Sequence, residues 1–173
     1  MNVRIIAESF TSPVAQRLND EVQAEYTRRY GEPDFTVIAA EDFIPPRGGY
    51  YIGYVDGEPV ASIAWRAHGG TDAEMKRMYV VEAMRGNGIA RAMIAHLEAE
   101  ALAAGRTRMV LVTGDSQPEA VRLYAALGYL PVETFGYYAD QEGAFHLGKS
   151  LVDEQIAAPA TSGLGVDGEL DSQ

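Results

Sequence analysis

The 173-residue sequence contains no cysteine. That excludes disulfides, thiolate metal sites and a cysteine nucleophile. Histidine is scarce as well: three scattered residues show no ligand spacing, so no metal is expected. Positive charge is short, with 14 Lys and Arg against 25 Asp and Glu, a net charge of −11. So acidic a chain disfavours nucleic acid as a partner, because phosphate recognition needs a basic face. Long apolar runs are missing, so no bilayer span and no membrane partner are expected. Residues 1–8 hold too few apolar side chains for a signal peptide. A cytoplasmic location is the expectation.

What is present is an ordinary globular mix, 47% hydrophobic and 23% charged, long enough for one domain with a real core. Part of the negative charge is local. Asp153, Glu154, Asp167, Glu169 and Asp171 fall in a stretch without Lys or Arg, and removing these five from −11 leaves −6 for the remainder. The division expected is a folded domain over 1–151 and an acidic, disordered tail over 152–173. Lys76, Arg77, Arg85 and Arg91 can still form a local basic patch.

In chain order, residues 3–7 suit a first strand. Ser12-Pro13 is an N-cap followed by proline at the first helical position, and Val14, Leu18, Val22 and Tyr26 give an apolar stripe that ends at Gly31. Residues 35–40 fit a short strand or a helix. The stretch 42–49, with Pro45-Pro46 and Gly48-Gly49, is expected to be irregular, either a surface loop or a lid on the substrate side. Two apolar runs, 50–55 and 59–67, flank Asp56-Gly57 as in a hairpin. A third strand follows over 74–81, and alternation predicts Glu74, Lys76, Met78 and Val80 on one of its faces.

Residues 76–90 organise the rest. An apolar strand ends in a turn holding Gly86 and Gly88, and a helical stripe of Ile89, Met93, Leu97 and Ala101 begins within that turn. Glycines let the backbone approach a ligand, and a helix N-terminus offers free N–H groups to an anion. A buried strand over 109–112 follows, so 75–81 and 109–112 are expected to be parallel neighbours. Ser116-Gln117-Pro118-Glu119 has the form of a capping box, and Gly128 ends the helix it opens. Two last strands, 129–134 and 144–149, flank a loop over 135–140 that is rich in aromatics, and its part 135–138 is expected to help shape a pocket.

Arg85-Gly86-Asn87-Gly88-Ile89-Ala90, after a strand and opening a helix, resembles the first signature of the GNAT superfamily of N-acetyltransferases. Leu123-Tyr124 followed by Gly128-Tyr129 resembles the second, and Pro45-Pro46-Arg47-Gly48 resembles a segment of a small bacterial subgroup. Ala90 stands where many members have Gly, Gln117 where many have Asn, and Glu82 where Pro is usual. The resemblance spans about 2–151. It implies a mixed α/β (α+β) fold: a mostly antiparallel central sheet with a splayed parallel pair, and helices on both faces. It further implies direct transfer of acetyl from acetyl-CoA to an amine, with a small-molecule amine as the first expectation. A protein amino group, or a module that binds acetyl-CoA without catalysis, is the alternative. Such domains often pair, so a homodimer is possible.

The resemblance assigns roles residue by residue. Backbone N–H groups at Arg85, Gly86, Gly88, Ile89 and Ala90 would hold the pyrophosphate, with Asn87, Met78, Tyr79, Val80 and Gln117 as the other cofactor-binding residues. The Val80 N–H would polarise the thioester carbonyl. Tyr124 matches the frequent general acid. Glu74 is either a base acting through water or a solvated strand charge; Asp42 and His68 are weaker base candidates. Asp42, Phe43, Glu74 and Phe135 are expected to shape the substrate pocket. Residues 143–150 match a phosphate-loop pattern letter for letter, but no buried strand precedes them, and Phe145 and Leu147 alternate as in a strand.

Overall fold

The computed structural model describes residues 2–152, so all but the first residue of the expected tail lies outside the described residues. Seven strands form one sheet: β1 (Arg4–Ala7), β2 (Gly48–Val55), β3 (Glu58–His68), β4 (Asp72–Val80), β5 (Arg108–Gly114), β6 (Leu130–Pro131) and β7 (Ala144–Ser150). Their order is β1-β2-β3-β4-β5-β7-β6, antiparallel everywhere except between β4 and β5. The helices are α1 (Pro13–Tyr30), α2 (Ile89–Ala103) and α3 (Pro118–Ala126). This is the expected fold class. No helix among the described residues is long and apolar enough to cross a membrane.

Local chemistry explains most boundaries. The Ser12 hydroxyl accepts the Ala15 N–H at 3.1 Å, Pro13 opens α1, and Gly31 closes it in the left-handed region. Asp56 and Gly57 both take positive φ, which lets a two-residue turn match the twist of β2 and β3. A core forms on each face of the sheet. Leu18 and Val22 of α1 pack on Tyr50, Ile52 and Tyr79, while Met93, Ile94 and Leu97 of α2 pack on Ile63, Trp65 and Met109.

The structure corrects several expectations. Asp42 and Phe43 lie in a 3-10 turn, Ala40–Phe43, and Phe43 packs against Phe10 and Tyr50 in the α1-side core. β2 begins at Gly48, earlier than expected, because glycine lets this turn lie directly on the strand. A Cβ at Gly48 would run into the carbonyl oxygens of Asp42 and Trp65, both backbone atoms that cannot rotate aside. Gly48→Ala is therefore expected to lower unfolding free energy by about 1–3 kcal/mol, as overpacking does, and urea titration measures it.

The parity of β4 also differs. Ser62 pairs with Tyr79 but Ala64 pairs with Lys76, so β4 carries one extra residue there, and Arg77 adopts φ 56°. This bulge reverses the alternation. Ala73, Met75 and, beyond the bulge, Met78 and Val80 pack toward α2, while Tyr79 packs toward α1. Glu74 does not share a face with Met78 and Val80. The parallel pairing joins only Asp72 to Arg108, Ala73 to Met109 and Glu74 to Val110. Ser116 does not cap α3: Gln117 occupies the N-cap without a side-chain bond, and Glu119 pairs with Arg29 of α1 instead. β6 keeps two residues of the expected 129–134. The phosphate-loop pattern is the strand β7.

Candidate active site

Beyond Glu74 and Val110 the edges of β4 and β5 part, although β4 runs on to Val80 and β5 to Gly114. Two cavities of about 410 Å³ each open along this gap. Met75, Lys76, Arg77, Val112 and Thr113 line both, so the gap is a passage between them.

The glycine turn bounds the first cavity. Gly88 is the N-cap of α2 at φ 78°, with no capping side chain, and the first backbone bond of the helix runs from the Ala92 N–H to the Gly88 carbonyl at 3.2 Å. The N–H groups of Ile89, Ala90 and Arg91 thus have no acceptor in the helix. A side-chain cap like that of Ser12 is lacking here, and the donors remain available to an anion. Met78, Tyr79, Val80, Arg85, Gly86, Gly88, Ile89, Ala90 and Gln117 all line this cavity. Asn87 does not; its amide donates to the Met84 carbonyl at 3.0 Å and braces the turn.

The basic patch expected here is mostly neutralised. Lys76 and Arg77 both pair with Asp34, and Arg85 reaches Glu25 at 2.6 Å while its Nε donates to the Val80 carbonyl at 2.8 Å. Arg91 on the first turn of α2 lines the cavity and makes no ion pair among the described residues. The Val81 N–H donates to Val60 at 2.9 Å, so strand alternation turns the Val80 N–H to the opposite edge, toward the gap. Tyr124 lines the same cavity, buried and edge-on to Tyr129 at 5.6 Å. Burial pushes its phenol above the ordinary tyrosine value, so it stays protonated at neutral pH.

The second cavity is held by charge pairs and two loops. Glu74 is 5% exposed and accepts from Arg66 Nε at 2.8 Å across the β3–β4 pair. Arg66 also reaches Asp42 at 3.1 Å and the Val37 carbonyl at 2.8 Å. Asp34 lies between Lys76 at 3.0 Å and Arg77 at 3.3 Å. Burial alone would raise its carboxyl, but Lys76, the bonds from Thr36 and Arg77 outweigh burial and hold it well below the usual carboxylate range. Phe135 lines the cavity and packs on His68 at 4.9 Å. His68 is the last residue of β3 and lines the cavity too. Asp42 and Phe43 line neither cavity: Arg66 engages the first, and the core holds the second.

Tyr138, in the aromatic stretch, lines this cavity, and so do Asp34 and Arg66, which no sequence motif singled out. Asp34 followed a helix stop, and nothing local marked it as the partner of two cations more than 40 residues away.

Residues 15–129 match the acetyltransferase (GNAT) family. Over 152 residues the chain is 28% identical to an IAA acetyltransferase of Azospirillum brasilense, covering 87% of this chain and 99% of that one. Its fold is similar to that of a Staphylococcus aureus acetyltransferase of the GNAT family, with a TM-score of 0.70 at 11% identity over 87% of this chain and 100% of that one. It is also similar to an aminoglycoside 6′-N-acetyltransferase complexed with coenzyme A, with a TM-score of 0.66 at 16% identity over 87% and 98% of the two chains. The chain belongs to the acetyltransferase (GNAT) family and is an acyltransferase.

Proposed function

We propose that the protein moves the acetyl group of acetyl-CoA to a primary amine of a small molecule. The observation that carries this reading is the passage between β4 and β5. It joins a cavity with uncapped helix N–H groups to a second cavity of small-ligand size. The first suits a pyrophosphate, with Arg91 beside the free N–H groups. The second suits a cationic amine: its cations Arg66, Lys76 and Arg77 are paired with Glu74 and Asp34, and Glu32, Asp115 and Glu142 line it in addition, so the lining keeps an excess of negative charge.

Acetyl-CoA, when bound, supplies an activated acyl group. The chain's residues do the rest. The Val80 N–H is the donor for the acyl oxygen, aimed by the strand edge. The Tyr124 hydroxyl holds the proton that the leaving sulfur needs. A primary amine is mostly protonated near neutral pH, and Glu74 takes its proton through water, with Arg66 fixing the carboxylate. Gln117 Oε1 accepts from Tyr30 at 2.9 Å, so that side chain braces the wall between the cavities.

An amine library screened with acetyl-CoA, reading released CoA, tests this. Turnover with small primary amines is expected. If only peptides are acetylated, the acceptor class is wrong; if acetyl-CoA binds and no amine reacts, the catalytic reading is wrong.

A further inference from the structure

His146 lies inside the phosphate-loop pattern that the fold turned into β7. It is 6% exposed, and both ring nitrogens are engaged. The Phe135 N–H donates to Nδ1 at 3.3 Å, which leaves the ring proton on Nε2, where it faces the Tyr138 carbonyl at 3.2 Å. One side chain thus holds both ends of the aromatic turn 135–138. The imidazole also packs edge-on against the Phe135 ring at 5.1 Å.

The turn so held walls the second cavity. Phe135, Gly136, Tyr137 and Tyr138 all line it, while His146 itself does not. From there the link continues. The Tyr138 hydroxyl accepts the Phe35 N–H at 3.0 Å, tying the turn to the loop that carries Asp34 and so to Lys76 and Arg77 at the passage. No other side chain among the described residues bonds to the backbone of 135–138. The Tyr138 carbonyl also accepts the Gln141 N–H at 3.1 Å, so His146 is one of its two partners, whereas the Phe135 N–H has His146 as its one bonded partner among the described residues; without it that N–H turns to water and the turn changes shape.

We propose that His146 is a positioning residue for the acceptor: it shapes the acceptor cavity by clamping the turn 135–138, without touching the substrate. This rests on the second cavity being the acceptor site. His146→Phe keeps a ring against Phe135 and removes both hydrogen bonds. His146→Asn keeps a short acceptor for the Phe135 N–H and guards against a variant that fails to fold.

Hydrogen exchange on the full chain and steady-state kinetics together decide it. In His146→Phe, exchange over 133–140 is expected to rise about tenfold, the scale of losing one to two net hydrogen bonds, while exchange in α2 stays unchanged. KM for the amine rises by about the same factor, KM for acetyl-CoA stays within about twofold, and the Asn variant falls between the two. Unchanged exchange over 133–140 overturns the clamp. Equal rises in both KM values overturn the acceptor-side role and leave His146 a general structural residue. If the unaltered protein acetylates no amine, the functional reading fails by itself, and the exchange comparison still decides the clamp.

Discussion

Asp34→Ala is expected to destabilise the protein by about 3–5 kcal/mol, because it leaves two buried cations without a counter-charge. The Asp34, Lys76 and Arg77 side chains are only 12%, 11% and 5% exposed, so solvent screens the pair weakly. The bulge at Arg77 is part of the reason. It sends that guanidinium toward α1, where Asn19 and Asp34 receive it. Asp34→Asn separates charge from hydrogen bonding, since the amide oxygen can still accept from the Thr36 N–H. Charge is the larger part, so Asn is expected to lose nearly as much as Ala. The pH dependence carries the same sign. The Asp34 carboxyl titrates lower in the folded chain than in the unfolded one, where it has the ordinary value of about 3.9. Its contribution is therefore complete above that value and is lost as pH falls below it toward the folded value. Urea unfolding of the three proteins across pH 7 to 3 measures both effects. A loss below about 1 kcal/mol at neutral pH, the scale of a surface pair, would remove the argument.

Tyr124→Phe is expected to lower kcat about a hundredfold, within the usual range for one proton-transfer group, with KM for acetyl-CoA little changed. The phenol lines the cavity beside the glycine turn, and its shift comes from burial, with no neighbouring cation drawing its proton away. Phe preserves the ring and its edge-on packing with Tyr129, so thermal stability should hold. That separation is the useful control: activity falls while the fold does not. Undiminished turnover with a good amine would show that the proton reaches sulfur from elsewhere.

Several features were legible because their signals act over a few residues. Ser12-Pro13, Asp56-Gly57, Gly31 and Gly128 specify caps and turns by their own conformational limits. Gly86 and Gly88 mark the turn before α2 by residue type, since glycine takes positive φ freely, and both do so. The same locality produced the misreadings. Ser116 and Glu119 have the right spacing for a capping box, but Arg29 of α1 reaches both the Ser116 carbonyl and the Glu119 carboxylate. A charged partner held by another helix outcompetes a local hydrogen bond.

The sequence by itself determined the order of elements, the apolar stripes of the two long helices and the uncapped helix start after Gly88. Each follows from periodicity or from a residue's own backbone freedom. Only the tertiary structure decided the rest. Pairing with β3 placed the bulge at Arg77 and so moved Glu74 and Lys76 off the face of Val80. Separation of β4 from β5 after three residue pairs made the passage. Folding of β7 against the turn 135–138 gave His146 two partners. These are contacts between distant segments, and no short-range pattern encodes which of them will meet.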